Sequence, residues 1–218
     1  MTVLQTNDIQ ILTQYQADYV IGVDEAGRGP LAGPVVASAV AMSVAELDQE
    51  YTKEHPFFHV RDSKKVTEKR RNAIKEHMSH PDQNLIIGSY AVSASMIDQM
   101  NILEATKMAW QESVEQCLAQ ISPEASVVIL IDGNIIYPDD LYPILPVTKG
   151  DNIHWTIALA SIYAKVTRDT WMYAQAPLYP EYQFERHKGY GTQIHQEAIK
   201  THGLSALHRK SFCTKIAL

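Results

Sequence analysis

The sequence predicts an α/β protein in which a mixed sheet is covered by helices. Three observations carry that expectation. Short apolar runs rich in Val, Ile and Ala stand at 19–23, 34–42, 85–92 and 127–131. Longer segments between and after them repeat their apolar residues at helical spacing. No repeat, low-complexity tract or Gly/Ser linker interrupts the 218 residues, so one domain over 1–218 is expected, large enough for a real core.

Residues 1–10 are polar and uncharged apart from Asp8, with neither the basic start nor the apolar centre of a signal peptide. The run 19–23 is a buried strand that ends at Asp24. Gly27, Gly29 and Pro30 then force a loop, and 34–42 returns as a second strand, giving a hairpin with its loop between Asp24 and Gly33. A third strand follows at 85–92. Asn101 with Glu104 has the pattern of a capping box. The helix behind it puts Trp110, Val114, Cys117 and Ile121 on one apolar face and is stopped by Pro123. Residues 127–131 (Val-Val-Ile-Leu-Ile) form a buried strand running straight into Asp132. Strand, helix, strand predicts a right-handed crossover and a parallel pair. Beyond Val147 come Lys149, Gly150 and Asp151, then a long helix over about 153–176, stopped by Pro177. Its Ala158, Ala160, Ser161 and Ala164 are small, which suits close packing on a sheet. A last helix covers 192–202, with Gly203 placed to close it.

Composition narrows the function classes. With 45 % apolar and 20 % charged residues the chain is not a disordered one. No apolar run reaches the roughly 20 residues of a membrane span. Cys117 and Cys213 fit neither a disulfide framework nor a metal spacing, so a reducing, cytoplasmic setting is expected. The net charge of −6 argues against a polyanionic partner, but the charges are unevenly spread. One basic stretch holds Arg61, Lys64, Lys65, Lys69, Arg70, Arg71 and Lys75, and a second holds Arg186, Lys188, Lys200, Arg209, Lys210 and Lys215. Each is either a solvated face or a local patch for phosphates.

The chemistry gathers at strand ends. Apolar strands seldom end in two adjacent acids, as at Asp24-Glu25, unless the acids are solvent-facing turn residues or have a partner such as a metal. Asp132 repeats the pattern before Gly133. Parallel neighbours present their C-terminal ends side by side, so these carboxylates would meet at one rim, as hard oxygen ligands for Mg²⁺ or Mn²⁺. Asp151 stands where an Asp would cap the long helix, and it could do both. Gly27 and Gly29 flank Arg28 in a loop whose backbone can approach a ligand while the guanidinium grips a phosphate. No Walker loop, dinucleotide fingerprint or Ser-His-Asp elbow is present.

Residues 24–36 (DEAGRGPLAGPVV) resemble the opening signature of the ribonuclease HII family. Further motifs follow in that family's order: Asp62-Ser63-Lys64-Lys65, Asn101-Ile102-Leu103, Ile131-Asp132-Gly133-Asn134, Lys149-Gly150-Asp151, the helix segment from Ala160 to Asp169, His187-Lys188-Gly189-Tyr190-Gly191-Thr192, and His208-Arg209-Lys210-Ser211-Phe212. The resemblance covers about Val20 to Phe212. It implies a ribonuclease H-like mixed five-stranded sheet flanked by helices, with a core at about 19–180 and a small helical, substrate-binding C-terminal part at about 181–218. It implies two divalent ions, Mg²⁺ or Mn²⁺, on catalytic Asp24, Glu25, Asp132 and Asp151. Asp169 is a competitor that an ordinary helix ion pair would explain. Gly27, Arg28 and Gly29 would read the ribose 2′-hydroxyl, Tyr190 would lie against the deoxyribose on the 3′ side of a ribonucleotide, and Lys64 would contact phosphate. His187, His208 and Arg209 match family positions where phosphate contact is plausible, while a satisfied or exposed role is expected for His195 and His202.

The activity so implied is cleavage of the RNA strand of RNA–DNA hybrids, and nicking 5′ to ribonucleotides in duplex DNA, by a monomer with no obligate protein partner. Two rivals are a ribonuclease HIII-like enzyme, which carries an extra N-terminal domain, and a non-catalytic hybrid-binding module, for which clustered carboxylates have no use. A sugar-kinase-like domain lacks a phosphate loop.

Overall fold

The computed structural model describes residues 1–60, 66–83 and 85–216. Among them, five strands form one sheet: β1 (Tyr19–Ala26), β2 (Val35–Met42), β3 (Ile86–Val92), β4 (Val127–Asp132) and β5 (Ile144–Val147), in spatial order β3-β2-β1-β4-β5. The first three make an antiparallel meander. β4 lies parallel to β1, and β5 parallel to β4. The crossover expected between β3 and β4 therefore does not make them neighbours. It carries the chain past β2 and β1, because both sides of β2 and one side of β1 are already paired by the meander.

The described helices are α1 (Val3–Tyr15), α2 (Val44–Leu47), α3 (Glu68–Met78), α4 (Ala94–Met100), α5 (Ile102–Leu118), α6 (Trp155–Gln175), α7 (Phe184–His187), α8 (Gln193–His202) and α9 (Lys210–Cys213). Strand alternation sorts the core into two layers. Val20, Val40, Val128 and Leu130 face α6, meeting Trp155, Ile157, Ala158 and Ile162. Ile21, Val23, Ile129 and Ile131 face α5, meeting Ala109, Trp110, Val114 and Cys117. A third cluster joins Ala32 and Met172 to Tyr182, Phe184 and Ile199, so the C-terminal helices are built onto the loop after β1.

Asn101 caps α5 as expected, its Oδ1 accepting the Leu103 and Glu104 amides at 2.9 and 3.2 Å. The reciprocal half of the box is replaced, because Glu104 pairs with Lys107 at 3.0 Å. α1 precedes the first strand, where the sequence suggested no element. Its buried face is mostly polar: Gln5, Asp8 and Leu12. Gln5 donates to the Leu47 and Gln49 carbonyls. Asp8 accepts the Thr156 amide at 2.9 Å and bonds His154 Nδ1 at 2.6 Å. Asp8 thus supplies the start of α6 with an anion from another helix, where the helix dipole favours one.

The contact that positions the site lies at Gly22. A Cβ there would stand 2.3 Å from the backbone of both Thr156 and Ile157, so α6 rests directly on β1. Gly22→Ala is expected to destabilise the fold by about 1–3 kcal/mol through overpacking, read as a lower urea midpoint. An unchanged midpoint would mean that α6 does not press on β1 in this way.

Candidate active site

The same alternation decides where the strand-end acids go. Asp24 follows Gly22 onto the α6 face, and Ser161 of α6 hydrogen-bonds its carboxylate. Glu25 falls on the α5 face, where Trp110 Nε1 donates to Oε2 at 2.9 Å and Arg28 Nη1 lies 3.4 Å from Oε1. Val23 pairs with Ile131 in the parallel register, which sets Asp132 at the neighbouring strand end on the side of Asp24. Asp132 Oδ1 accepts the Gly150 amide at 2.6 Å, drawing the 3-10 turn Gly150–Asn152 and its buried Asp151 to the same rim. Asp151 does not cap α6. That place is held by His154.

Asp24 is buried, and its carboxyl is pushed well above the usual carboxylate range by desolvation and by the charges of Glu25 and Asp132. Glu25 is also raised by burial, against the pull of Arg28 and Trp110. Among the described residues no three His, Cys, Asp or Glu side chains are drawn tightly enough together to hold one ion. In this arrangement the carboxylates instead take the protein partners just named, and Asp151 accepts from Asn152 Nδ2 at 2.8 Å. Crowded, desolvated oxygen donors whose charges oppose one another nonetheless fit a hard divalent cation, which would relieve that repulsion.

The loop after β1 is held from behind. Arg209 Nη2 and Nη1 donate to the Gly27 and Arg28 carbonyls at 2.6 and 2.9 Å, and its Nε to the Gly33 carbonyl at 3.0 Å. Arg168 Nε and Nη2 donate to the Pro34 and Ala32 carbonyls at 2.9 and 3.0 Å. Gly27 has φ +99° and no room for a Cβ, which would lie 2.2 Å from Arg168 Nε. At Gly29 a Cβ would meet no described atom within 4 Å, so packing does not account for that glycine. Tyr190 is 43 % exposed, with Arg168 Cζ 5.7 Å and Lys165 Nζ 5.8 Å from its ring centroid. Asp169 makes the ordinary ion pair, 2.8 Å from Lys165 Nζ. Lys64, with the rest of its motif, lies outside the described residues.

His187, His208 and Arg209 are buried, which corrects the expectation of phosphate contact. The two histidines form a cluster with His195 instead. His208 Nδ1 accepts the Ser205 amide at 2.9 Å, so its Nε2 carries the proton toward His195 Nε2, 3.0 Å away. His195 then donates from Nδ1 to the Tyr190 carbonyl at 2.9 Å. His187 accepts the Gly189 amide and donates to the Tyr182 carbonyl. All three rings are satisfied in the neutral form. Sequence reasoning missed the supporting roles of four residues: Trp110, Ser161, Arg168 and Arg209. A Trp on an apolar helix face was the one available signal, because a buried indole N–H needs an acceptor.

Burial lowers His195 and His208 to about 4 from the ordinary 6.5. Above pH 6.5 neither the folded nor the unfolded chain protonates them. As pH falls from 6.5 toward 4 the unfolded chain takes up protons first, so stability is lost through that window. His195→Gln, which does not titrate, is expected to flatten the decline by on the order of 1–3 kcal/mol. Urea midpoints for both proteins across that range check it, and parallel curves would contradict it. Asp24 has the opposite sign. Its raised carboxyl makes the folded chain lose stability as pH rises above about 3.8, the unfolded value. In chelator at neutral pH, Asp24→Asn is therefore expected to be more stable than the parent by about 1 kcal/mol. A lower melting temperature would count against a strained carboxylate.

The geometry can be set beside known proteins. A family model for Ribonuclease HII matches residues 21–215. The Ribonuclease HII of Fusobacterium nucleatum is 43 % identical over 205 residues, covering 93 % of this chain and 90 % of the relative. That of Marinomonas sp. is also 43 % identical, over 198 residues, covering 91 % and 92 %. In fold, the crystal structure of ribonuclease H2 from Pyrococcus horikoshii OT3 superposes with a TM-score of 0.67 at 24 % identity, covering 91 % of this chain and 97 % of that one. Bst-RNase HIII in complex with Mn²⁺ gives 0.69 at 19 % identity, covering 94 % and 70 %. With a family model spanning nearly the whole sequence and relatives above 40 % identity across it, this chain belongs to the ribonuclease HII family and is a ribonuclease H enzyme.

Proposed function

We propose that the chain hydrolyses the RNA strand of RNA–DNA hybrids and nicks duplex DNA on the 5′ side of an embedded ribonucleotide, leaving 5′-phosphate and 3′-hydroxyl ends. One observation carries the reading. A loop with an open glycine at Gly29, backed by buried arginines, begins three residues after a carboxylate held above its ordinary range. A backbone that approaches a ribose closely can detect the 2′-hydroxyl, the group that distinguishes RNA from DNA at one nucleotide.

In this reading Asp24, Glu25, Asp132 and Asp151 would hold two divalent ions, Mg²⁺ or Mn²⁺. Such ions supply an activated water and neutralise the charge that develops on the leaving 3′-oxygen. The protein's own groups do the rest. Ser161 and the Glu25 amide hydrogen-bond the Asp24 carboxylate and so fix its orientation. Trp110 does the same for Glu25 from the other side of the sheet. Gly27, Arg28 and Gly29 would read the ribose, with the half-exposed Arg28 guanidinium free to turn from Glu25 to a phosphate. Tyr190 would present its ring to the next deoxyribose, favouring RNA-to-DNA junctions. Lys64 would add a phosphate contact. The substrate is then a nucleic acid recognised through sugar and backbone, and the reading needs no second protein. Bst-RNase HIII, of similar fold, has been crystallised with Mn²⁺, which supports the choice of ion.

A labelled DNA duplex with one ribonucleotide tests the proposal. With Mg²⁺ or Mn²⁺ a nick 5′ to that residue is expected, and none in chelator. Asp24→Asn should lower turnover by roughly 10³-fold or more while the protein stays folded. Metal-independent binding without any cut would favour a hybrid-binding module, and near-normal cleavage by the variant would remove Asp24 from the site.

A further inference from the structure

Arg168 and Arg209 have no solvent exposure, and among the described residues neither is ion-paired with a carboxylate. Buried guanidinium groups without a counter-ion are costly, so a fold that keeps two of them side by side spends stability on something other than stability. Both are aimed at one target. Arg209 gathers the carbonyls of Gly27, Arg28 and Gly33, which are the two ends of the loop. Arg168 takes Ala32 and Pro34, fills the space where a side chain at Gly27 would be, and sits beneath the ring of Tyr190. Its Nη1 has no hydrogen-bond partner among the described residues. The Tyr190 backbone is fixed in turn by its carbonyl's bond to His195 and by its amide's bond to the His187 carbonyl at 2.9 Å. Gly189, the residue before it, accepts the Leu31 amide at 2.8 Å.

We propose that Arg168 and Arg209 are positioning residues that set the distance between the Gly27–Arg28–Gly29 loop and Tyr190, and thereby select a ribose followed by a deoxyribose. The inference rests on the nuclease reading above and extends it from the groups that touch substrate to the pair that spaces them. A guanidinium is suited to this because it is planar and donates in fixed, divergent directions. One Arg168 side chain can therefore span two carbonyls and still offer a face to an aromatic ring. A lysine keeps the charge but not the fork.

Arg168→Lys and Arg209→Lys test the idea, each reading the clamp from one side, with circular dichroism to show that the variants fold. Cleavage of a single-ribonucleotide duplex is compared with cleavage of a continuous RNA–DNA hybrid. Each lysine variant is expected to lose roughly 10- to 100-fold in kcat/KM on the junction substrate, the scale of a misplacement of about 1 Å. The loss on the continuous hybrid should be several-fold smaller, so the ratio of the two collapses. Tyr190→Ala should collapse the same ratio, and Arg168→Lys added to it should change the ratio little further, because both act on one spacing. Equal losses on both substrates, or independent effects in the double variant, would make the arginines mere props for the hairpin and overturn the proposal. An unchanged ratio in folded variants, with junction preference intact in the parent, overturns the clamp alone. A parent that cuts hybrids without any junction preference overturns the clamp and the Tyr190 assignment together.

Discussion

The closeness of α6 to β1 is the constraint from which the rest follows. With only hydrogen on Gly22 the helix backbone comes down onto the strand, and a helix fixed at its first turn must pass over whatever the strand leads to. Ser161 therefore arrives at Asp24, Arg168 at Gly27 and Pro34, and Met172 at Gly33. A single straight element thus supplies the hydrogen bond to a buried carboxylate, the support for a loop and the floor of the C-terminal cluster. Its own N-terminus is stabilised from outside by Asp8, whose carboxylate accepts the Thr156 amide. The anion belongs to a helix that lies outside the rim, yet it helps to hold α6 at the depth the rim requires.

Much of this architecture was legible because strand burial and helix periodicity are strong signals. The four runs expected as strands all lie in the sheet, and the small residues Ala158, Ala160, Ser161 and Ala164 of α6 are buried. What the pattern hid has physical reasons. α1 buries Gln5 and Asp8 instead of a run of apolar residues, so its inner face looks like an outer one. β5 is short, half-buried and contains Pro146, which weakens its signature at the sheet edge. The neighbour of β4 depends on how many partners the meander has already used, which no local pattern encodes.

The site divides along the same line. Asp24, Glu25 and Asp132 announce themselves because charge at the end of an apolar strand conflicts with burial. The family resemblance was needed for Asp151, whose position before a long helix also suits a cap. Arg209 and the histidines illustrate the opposite case. Cationic residue types in a basic stretch suggest a surface for phosphate, but the fold turns these side chains inward, where backbone groups and one another satisfy them. Charge type alone does not tell a guanidinium that grips substrate from one that grips its own chain.

Because successive strand residues point to opposite sides of the sheet, Asp24 belongs to the layer packed by α6 and Glu25 to the layer packed by α5. Adjacent donors are thus oriented by two separate cores, through Ser161 in one case and Trp110 in the other. A chain with only one layer docked would orient only half of the pair. The rim is therefore complete only when both layers are docked, and no single folding unit contains it. On the proposed reading of this rim as the catalytic centre, competence is tied to completion: a nascent or partly opened molecule has no finished centre with which to do damage.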